Sequence, residues 1–342
     1  MWPGVDLGSR SKTAVGRRRT LREMMRVRAP SIARAIGQTF FVNDARTGLA
    51  FMAVAAGSSL FAGGLAVLGA ILAAAVGRAL TVSKPLNESG LIPLNGYFAA
   101  MAVGAFFPLD VATTALGLAA AALAAVLTIV MHRGLAIWAL PVLVMPYVLA
   151  FAAVWLICPQ LSWCKPALPP LPAIAWPVTW EAWVIFAGTA GAAGLAELVF
   201  SSSAWIGLGV LVALALFDWP AAAVAVLGAG CGTATAIAIG LPPALISIGV
   251  YGFGAALTAL ALRRGTLRCG WLATVIAASA TAVATAILGT LGARLGLLPL
   301  AAPYVAVVWV CTLAQSRHLS DAREAGPRAP TVTSDRRWPR HF

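Results

Sequence analysis

Long apolar runs separated by short polar breaks fill the chain from Thr47 to Gln315. The breaks lie at residues 78–84, 107–110, 132–133 and 158–177 in the first half, and near 218, 240–243, 263–268 and 294 in the second. Most of the intervening runs are of the length, about 17 to 25 residues, that a helix needs to cross a bilayer. We therefore predict an all-α polytopic membrane protein with five spans in each half.

One apolar stretch, residues 183–200, does not fit this count if it crosses the membrane. We predict that it is a re-entrant or tilted half-helix, which is tolerated where it lines a cavity inside the protein. Glu197 is the acidic residue well inside this stretch. A carboxyl group in the hydrocarbon layer is expensive enough to indicate a functional position. The alternative is that Glu197 lies at an interface and marks the end of the segment.

The chain repeats itself. Gln38 and Phe41 precede Glu197 and Phe200 by 159 positions each. The same offset relates residues 66–70 to 225–229, Gly90 to Gly249 and Asn95 to Gly254, and an offset of 157 relates Pro146-Tyr147 to Pro303-Tyr304. Two repeats of five spans must have opposite orientations, and inverted repeats commonly build a solute path at their interface.

In both copies the polar residue and the aromatic residue are three positions apart. If each stretch is a continuous helix, this spacing places an oxygen acceptor and a ring on one face. The alternative for Phe41 and Phe200 is ordinary helix packing.

Composition and charge agree with a membrane protein. Hydrophobic residues make up 61% of the 342 residues and charged residues 10%, with a net charge of +13. Of the 24 Lys and Arg residues, 10 lie in residues 1–46 and 6 lie after residue 316. By the positive-inside rule both termini are cytoplasmic, and the basic excess indicates topology and contact with acidic lipids rather than nucleic-acid binding.

The same rule assigns the loops. Arg78, Lys84 and Arg133 fall inside and Asp110 outside, and the Arg263–Arg268 break falls inside, with Arg294 as an exception on the outside. We predict five regions, namely a basic arm (1–30), a first repeat (31–158), a Pro-rich extracytoplasmic linker (159–182), a second repeat (183–315) and a basic tail (316–342).

The positions of the histidines and cysteines give little support for catalytic activity or metal binding. The histidines are His132 in a predicted loop and His318 and His341 in the tail, so none is available inside the membrane. No cysteine spacing is typical of a zinc site, and we predict no metal, no cofactor and no enzymatic activity. Cys158 and Cys164 either form a disulfide in the linker or stay unpaired.

Several segments resemble the channel-like urea transporters. Residues 36–49 are similar to that family's Gly-Gln-aromatic and Asn-Pro-x-Thr-Gly signature, and segments at 89–96 and 251–253 are similar to its Gly-Leu-Tyr-Gly-Phe-Asn motif. Residues 140–147 and 298–304 look like its Leu-Pro-x-x-Thr-x-Pro-Phe motif. The resemblance extends over nearly everything from residue 31 to 315, in the same order and twice.

The resemblance implies a homotrimer in the cell inner membrane, in which each subunit has ten spans, two re-entrant helices and its own pore for passive passage of urea or a small amide. Gln38 and Glu197 match the acceptor positions of that pore, with Phe41 and Phe200 one turn on. The matching positions in or beside the slot are Asn95, Phe98, Phe253 and Leu257.

Urea's chemistry is compatible with these residues. Urea is flat and neutral, with four N–H donors on its edge, and removing water from an amide costs roughly 2 to 7 kcal/mol unless hydrogen bonds are returned. Glu197 and Gln38 would return them, while Phe41 and Phe200 could cover the faces. The alternatives are a proton-coupled carrier in which Glu197 titrates, and a membrane-embedded enzyme that uses Glu197 or Cys231.

The chain departs from the motifs at the mid-pore constriction. Val144 and Ala301 stand where the resemblance has threonines, and Gly254 stands where it has the second asparagine. The loss of both hydroxyls suggests a drier centre, with slower urea passage or a preference for a less polar amide. Val144→Thr combined with Ala301→Thr is therefore expected to raise urea flux into proteoliposomes. An unchanged or lower flux would count against this hypothesis.

Overall fold

The computed structural model describes residues 29–80, 86, 88–161, 164–167, 170–265 and 267–324. These residues form α-helices and short 3-10 turns, and no strand occurs among them. The helices are α1 (Ala29–Gly37), α2 (Ala45–Ser58), α3 (Leu60–Ala79), α4 (Leu91–Phe106), α5 (Val111–Leu135), α6 (Met145–Ile157), α7 (Trp180–Ala196), α8 (Ala204–Ala238), α9 (Pro243–Ser247), α10 (Val250–Arg264), α11 (Trp271–Arg294) and α12 (Ala302–Glu324). Most of the predicted basic arm, Lys84 and residues 325–342 of the tail lie outside the described residues.

Five helical segments of the described chain are long and apolar enough to cross a membrane: Leu60–Ala79, Val111–Trp138, Trp180–Val199, Ala204–Ala238 and Trp271–Arg294. Three shorter apolar helices accompany them, Leu91–Phe106, Met145–Gln160 and Ala302–Ser316. The predicted class, an all-α polytopic membrane protein, is confirmed. That α7 does not cross the membrane, and that the two repeats have opposite orientations, stay predictions.

Both halves contain a helix interrupted at equivalent positions. Asp218 has non-helical angles (φ −153°, ψ 78°), and its carboxylate accepts a hydrogen bond from Ala221 N at 3.0 Å. Ser59, 159 positions earlier, separates α2 from α3 and accepts from Ala62 N at 3.2 Å. A side-chain acceptor that caps the restarted helix explains why both breaks are stable. The break near Asp218 was predicted, whereas the one at Ser59 was not.

Two other boundaries differ from the prediction. Helix α5 passes through the expected break at His132 and Arg133 and ends at Leu135, because basic side chains are favourable in the last turn of a helix. Helix α7 begins at Trp180 rather than at residue 183, since Thr179 Oγ1 accepts from Ala182 N at 3.3 Å and caps the helix.

The run after α5 is apolar but not a continuous span. Leu140 N donates to Leu135 O at 3.2 Å, which closes α5, and the chain leaves helical geometry until α6 begins at Met145. In the second half Leu297 N donates to Gly292 O at 2.7 Å, and α12 begins only at Ala302. Each repeat therefore has a non-helical loop before its last helix.

The short helices α1 and α7 lie against the backbone of the helices that follow them. A Cβ atom at Gly48 would overlap the carbonyl oxygen of Ala33, and one at Gly207 would overlap that of Ala192. The offset between the two contacts is again 159. Helix α2 also packs against α8, which joins the two halves.

The linker is attached at the end of the first half. Cys158 and Cys164 form a disulfide, which decides between the two alternatives left open by the sequence. Ala167 N then donates to Phe106 O at 2.8 Å.

Gly48→Ala is expected to lower the free energy of unfolding by about 1 to 3 kcal/mol, because the added methyl group must separate α1 from α2. Gly57→Ala is the matched control on the same helix, since a Cβ there meets nothing within 4 Å and alanine is the better helix former. Thermal unfolding in detergent, followed by tryptophan fluorescence, measures both. Equal stability of the two variants would contradict the close contact.

Candidate solute pathway

Helix α1 ends in a turn that fixes the positions of Gln38 and Phe41. Phe41 N donates to Gln38 O at 2.9 Å and Val42 N donates to Gly37 O at 3.4 Å, while Phe41 has a left-handed backbone (φ 58°). This pattern satisfies carbonyl groups that a helix end leaves open. Gln38 and Phe41 therefore belong to a 3-10 turn with a reversed last residue.

Helix α7 ends in a turn of the same kind. Phe200 N donates to Glu197 O at 3.0 Å and Ser201 N to Ala196 O at 3.2 Å, with Phe200 at φ 54°. The expectation that each polar and aromatic pair shares one face of a continuous helix is wrong. Both pairs lie in the closing turn, where the left-handed residue redirects the chain.

A cavity of about 690 Å³ extends from the first of these turns. Along α10 it is lined by Phe253, Leu257, Ala261 and Arg264, which follow one another at helical spacing over about 16 Å of helix. The cavity is thus apolar along most of α10 and charged at the end of that helix. The other residues that line it include Gln38, Thr39, Phe41, Asn43, Ser89, Phe98, His132, Leu140, Pro141, Val142, Leu143, Val144, Tyr147, Arg268, Ala301, Tyr304 and Thr312.

The charged end of the cavity combines side chains from different elements. Arg264 donates to the carboxylate of Asp218, so the kink in α8 partly neutralises it. Arg268, in the loop after α10, is exposed and lines the same cavity, as does His132 in the last turn of α5. This end is therefore polar, with a positive excess.

The buried end of the cavity is formed by equivalent residues of the two halves. Val144 is 8% exposed and Ala301 is completely buried, and the two are 157 positions apart. Each follows a leucine with a left-handed backbone, Leu143 (φ 53°) and Leu300 (φ 40°). We call Val144 and Ala301 the constriction.

Asn95 holds the loop that carries Val144. Its Nδ2 donates to Leu91 O at 3.0 Å and to Leu143 O at 3.1 Å, and its Oδ1 accepts from Tyr147 N at 3.1 Å. Both amide hydrogens and one acceptor position are used, and the side chain is fully buried. Asn95 thus lies behind the pathway and braces it. Gly254, at the equivalent position, has no side chain that could do the same.

Two tryptophan side chains form hydrogen bonds between the two repeats. Trp309 Nε1, on the last helix of the second half, donates to Pro141 O at 2.7 Å. Trp155 Nε1, on the last helix of the first half, donates to Gly296 O at 2.7 Å. Both acceptors lie in the loops that lead to the constriction, so each loop is held by the opposite half.

Glu197 and Phe200 lie next to the pathway but do not line the cavity. The ring of Phe200 packs edge-on against Phe106 at 5.8 Å and against Tyr147 at 6.4 Å between centroids. Glu197 is partly buried and interacts electrostatically with Tyr147. Tyr147 therefore borders both the cavity and the turn that carries Glu197.

The sequence model of the urea transporters matches residues 29–316, which is most of the chain. The chain belongs to the urea transporter family. Membership supports transport of urea across a membrane as the role of this multi-pass protein, and the family is one of transporters rather than enzymes. A comparison with curated proteins finds no match.

For this urea transporter, most of the predicted pathway residues are brought together. Gln38, Phe41, Phe98, Phe253, Leu257, Val144 and Ala301 all line the cavity. Asn95 is buried behind the pathway, and Glu197 and Phe200 lie in the turn beside it, so these three residues do not line the cavity. The residues that the sequence did not single out are His132, Arg264 and Arg268 at the charged end and Tyr147 and Tyr304 at the constriction. The Pro-Tyr pairs were recognised as markers of the repeat, and their position next to Val144 and Ala301 was the available signal.

Asn95→Leu is expected to lower the free energy of unfolding by about 1 to 3 kcal/mol for each backbone group left without a partner. Thr128→Val is the control, because Thr128 is equally buried and bonds only to Ala124 O within its own helix. Thermal unfolding of the two variants in detergent measures the difference. A smaller loss of stability for Asn95→Leu than for Thr128→Val would show that Asn95 does not hold the loop that carries Val144.

Proposed function

We propose that this urea transporter is a passive channel whose solute path runs through the cavity along α10 and across the constriction to the turn that carries Glu197. The observation that carries the proposal is the cavity itself, whose lining includes both the charged residues at the end of α10 and the buried, equivalent residues Val144 and Ala301 of the two halves. A path of this kind, at the interface of two repeats, is how many transporters place their solute.

The wall chemistry suits a flat neutral amide. Phe41, Phe98, Phe253 and Leu257 offer apolar surface that can cover the faces of urea, and Gln38 offers an amide oxygen to its N–H groups. Hydrogen bonds at Gln38 and, beyond Tyr147, at Glu197 offset part of the desolvation cost. The sites must bind weakly for the solute to leave, which a few separated acceptors achieve.

The charge distribution disfavours cations. Arg264, Arg268 and His132 gather at one end of the cavity, where Asp218 compensates only Arg264. Ammonium and guanidinium would be repelled there, while neutral urea would not. Arg264 and Arg268 belong to the polar break that the positive-inside rule assigns to the cytoplasm, so we place this end of the path there. We also propose that the protein lies in the inner membrane with both termini in the cytoplasm. We also propose a homotrimer with one path in each subunit.

Proteoliposomes examined by stopped-flow light scattering are expected to take up urea at a rate proportional to its concentration. Gln38→Leu and Glu197→Leu should each lower this rate about tenfold, equivalent to the loss of one hydrogen bond to a desolvated solute. Glu181→Leu is the control, since Glu181 is exposed in the first turn of the helix that ends beside Glu197. Uptake no faster than in protein-free liposomes would overturn the proposal.

The same liposomes separate a channel from a proton-coupled carrier, the second candidate. Glu197 forms no ion pair within the described part of the chain, which leaves its carboxyl group available for protonation. A channel only equilibrates urea, so an imposed pH gradient should not drive accumulation of labelled urea. Accumulation that Glu197→Gln abolishes would establish the carrier instead.

A further inference from the structure

We infer that Tyr147 and Tyr304 are specificity-determining residues of the pathway, whose hydroxyl groups donate hydrogen bonds to the carbonyl oxygen of the solute at the constriction. The inference rests on the proposed function and adds a hydrogen-bond donor for the carbonyl oxygen of urea. As acceptors, Gln38 and Glu197 serve the N–H groups of urea, and the tyrosine hydroxyl groups add donors for its carbonyl oxygen at the constriction.

The two tyrosines occupy equivalent places at the closed end of the cavity. Each lies three positions after a constriction residue, Tyr147 after Val144 and Tyr304 after Ala301, and each is 2% exposed. Both line the cavity. Val144 and Ala301 themselves offer no polar side-chain atom, so the phenols that follow them in sequence are the hydroxyl groups we assign to this part of the cavity.

Tyr147 borders both halves of the path. It lines the cavity together with Ala301 and Tyr304 of the second half, and its ring packs against Phe200 in the turn that carries Glu197. We therefore place its hydroxyl group on the route from the cavity toward Glu197.

The ring of Tyr147 is held in place. It packs against Phe98 with centroids 5.4 Å apart and against Phe200 at 6.4 Å, and its backbone N–H is bound by Asn95. A hydroxyl group on a fixed ring needs little reordering when the solute arrives.

A hydroxyl group suits this position because it both donates and accepts. It can bond to the solute when the solute is present and to backbone or a neighbouring phenol when it is not. Burying a phenol without such partners is unfavourable, by about 1 to 3 kcal/mol in general. A path with these two groups selects solutes that carry a strong carbonyl acceptor, which distinguishes urea from thiourea.

The experiment compares urea and thiourea fluxes of Tyr147→Phe, Tyr304→Phe and the double variant in proteoliposomes. Each single change is expected to lower urea flux about three- to tenfold, with a smaller effect on thiourea, so that the urea to thiourea ratio falls. Tyr97→Phe is the matched control, since the Tyr97 hydroxyl is buried without a hydrogen-bond partner among the described residues and Tyr97 does not line the cavity. Adding Val144→Thr to Tyr147→Phe should restore part of the urea flux. An unchanged ratio in the double variant would overturn the inference.

A labelling experiment separates this inference from the proposed function. Tyr147→Cys, Tyr304→Cys and Tyr97→Cys are prepared in a chain in which Cys231, Cys269 and Cys311, the free cysteines of the described residues, are replaced by alanine. A small water-soluble thiol reagent should modify the first two variants and not the third. Protection of either of the first two would overturn the inference even if urea flux is normal, whereas absent urea flux with normal labelling would overturn only the proposed function.

Discussion

A helix that stops inside an apolar environment has to satisfy its own last carbonyl groups, because neither water nor lipid is there to do so. Helices α1 and α7 both meet this requirement with the same kind of turn, and in both the residue in the left-handed conformation is a phenylalanine. That conformation costs a residue other than glycine roughly 1 to 2 kcal/mol. The turn sets the positions of Gln38 and Glu197, the two polar groups of the proposed path.

The two halves use one backbone plan with different side chains. Gln38 faces the cavity and Glu197 lies beyond Tyr147, while Asn95 braces one constriction loop and Gly254 leaves the other without an equivalent brace. On the proposed path, a solute would therefore meet a neutral amide on one side of the constriction and a carboxyl group on the other. The two repeats share a backbone arrangement, while their different side chains would make the two ends of the proposed path chemically different.

The sequence was sufficient for the class, for most breaks and for seven of the residues that line the cavity, because each depends on apolar length, on the repeat offset or on the resemblance to known motifs. It was insufficient where the decisive contact is distant. The break at Ser59 is hidden among small apolar residues, and residues 139–144 are as apolar as a span although they are not helical. Glu197 lies outside the cavity lining because of tertiary packing, which the sequence pattern does not show.

The two tryptophan contacts between the halves occupy positions that do not correspond. With the offset of 157 that relates the constriction residues, Trp155 corresponds to Thr312 and Trp309 to Ala152, and the acceptors Gly296 and Pro141 are likewise displaced. If the repeat arose by duplication of an ancestral gene, copying alone cannot have produced both contacts. At least one of the two contacts must have arisen after the two copies had begun to differ in sequence.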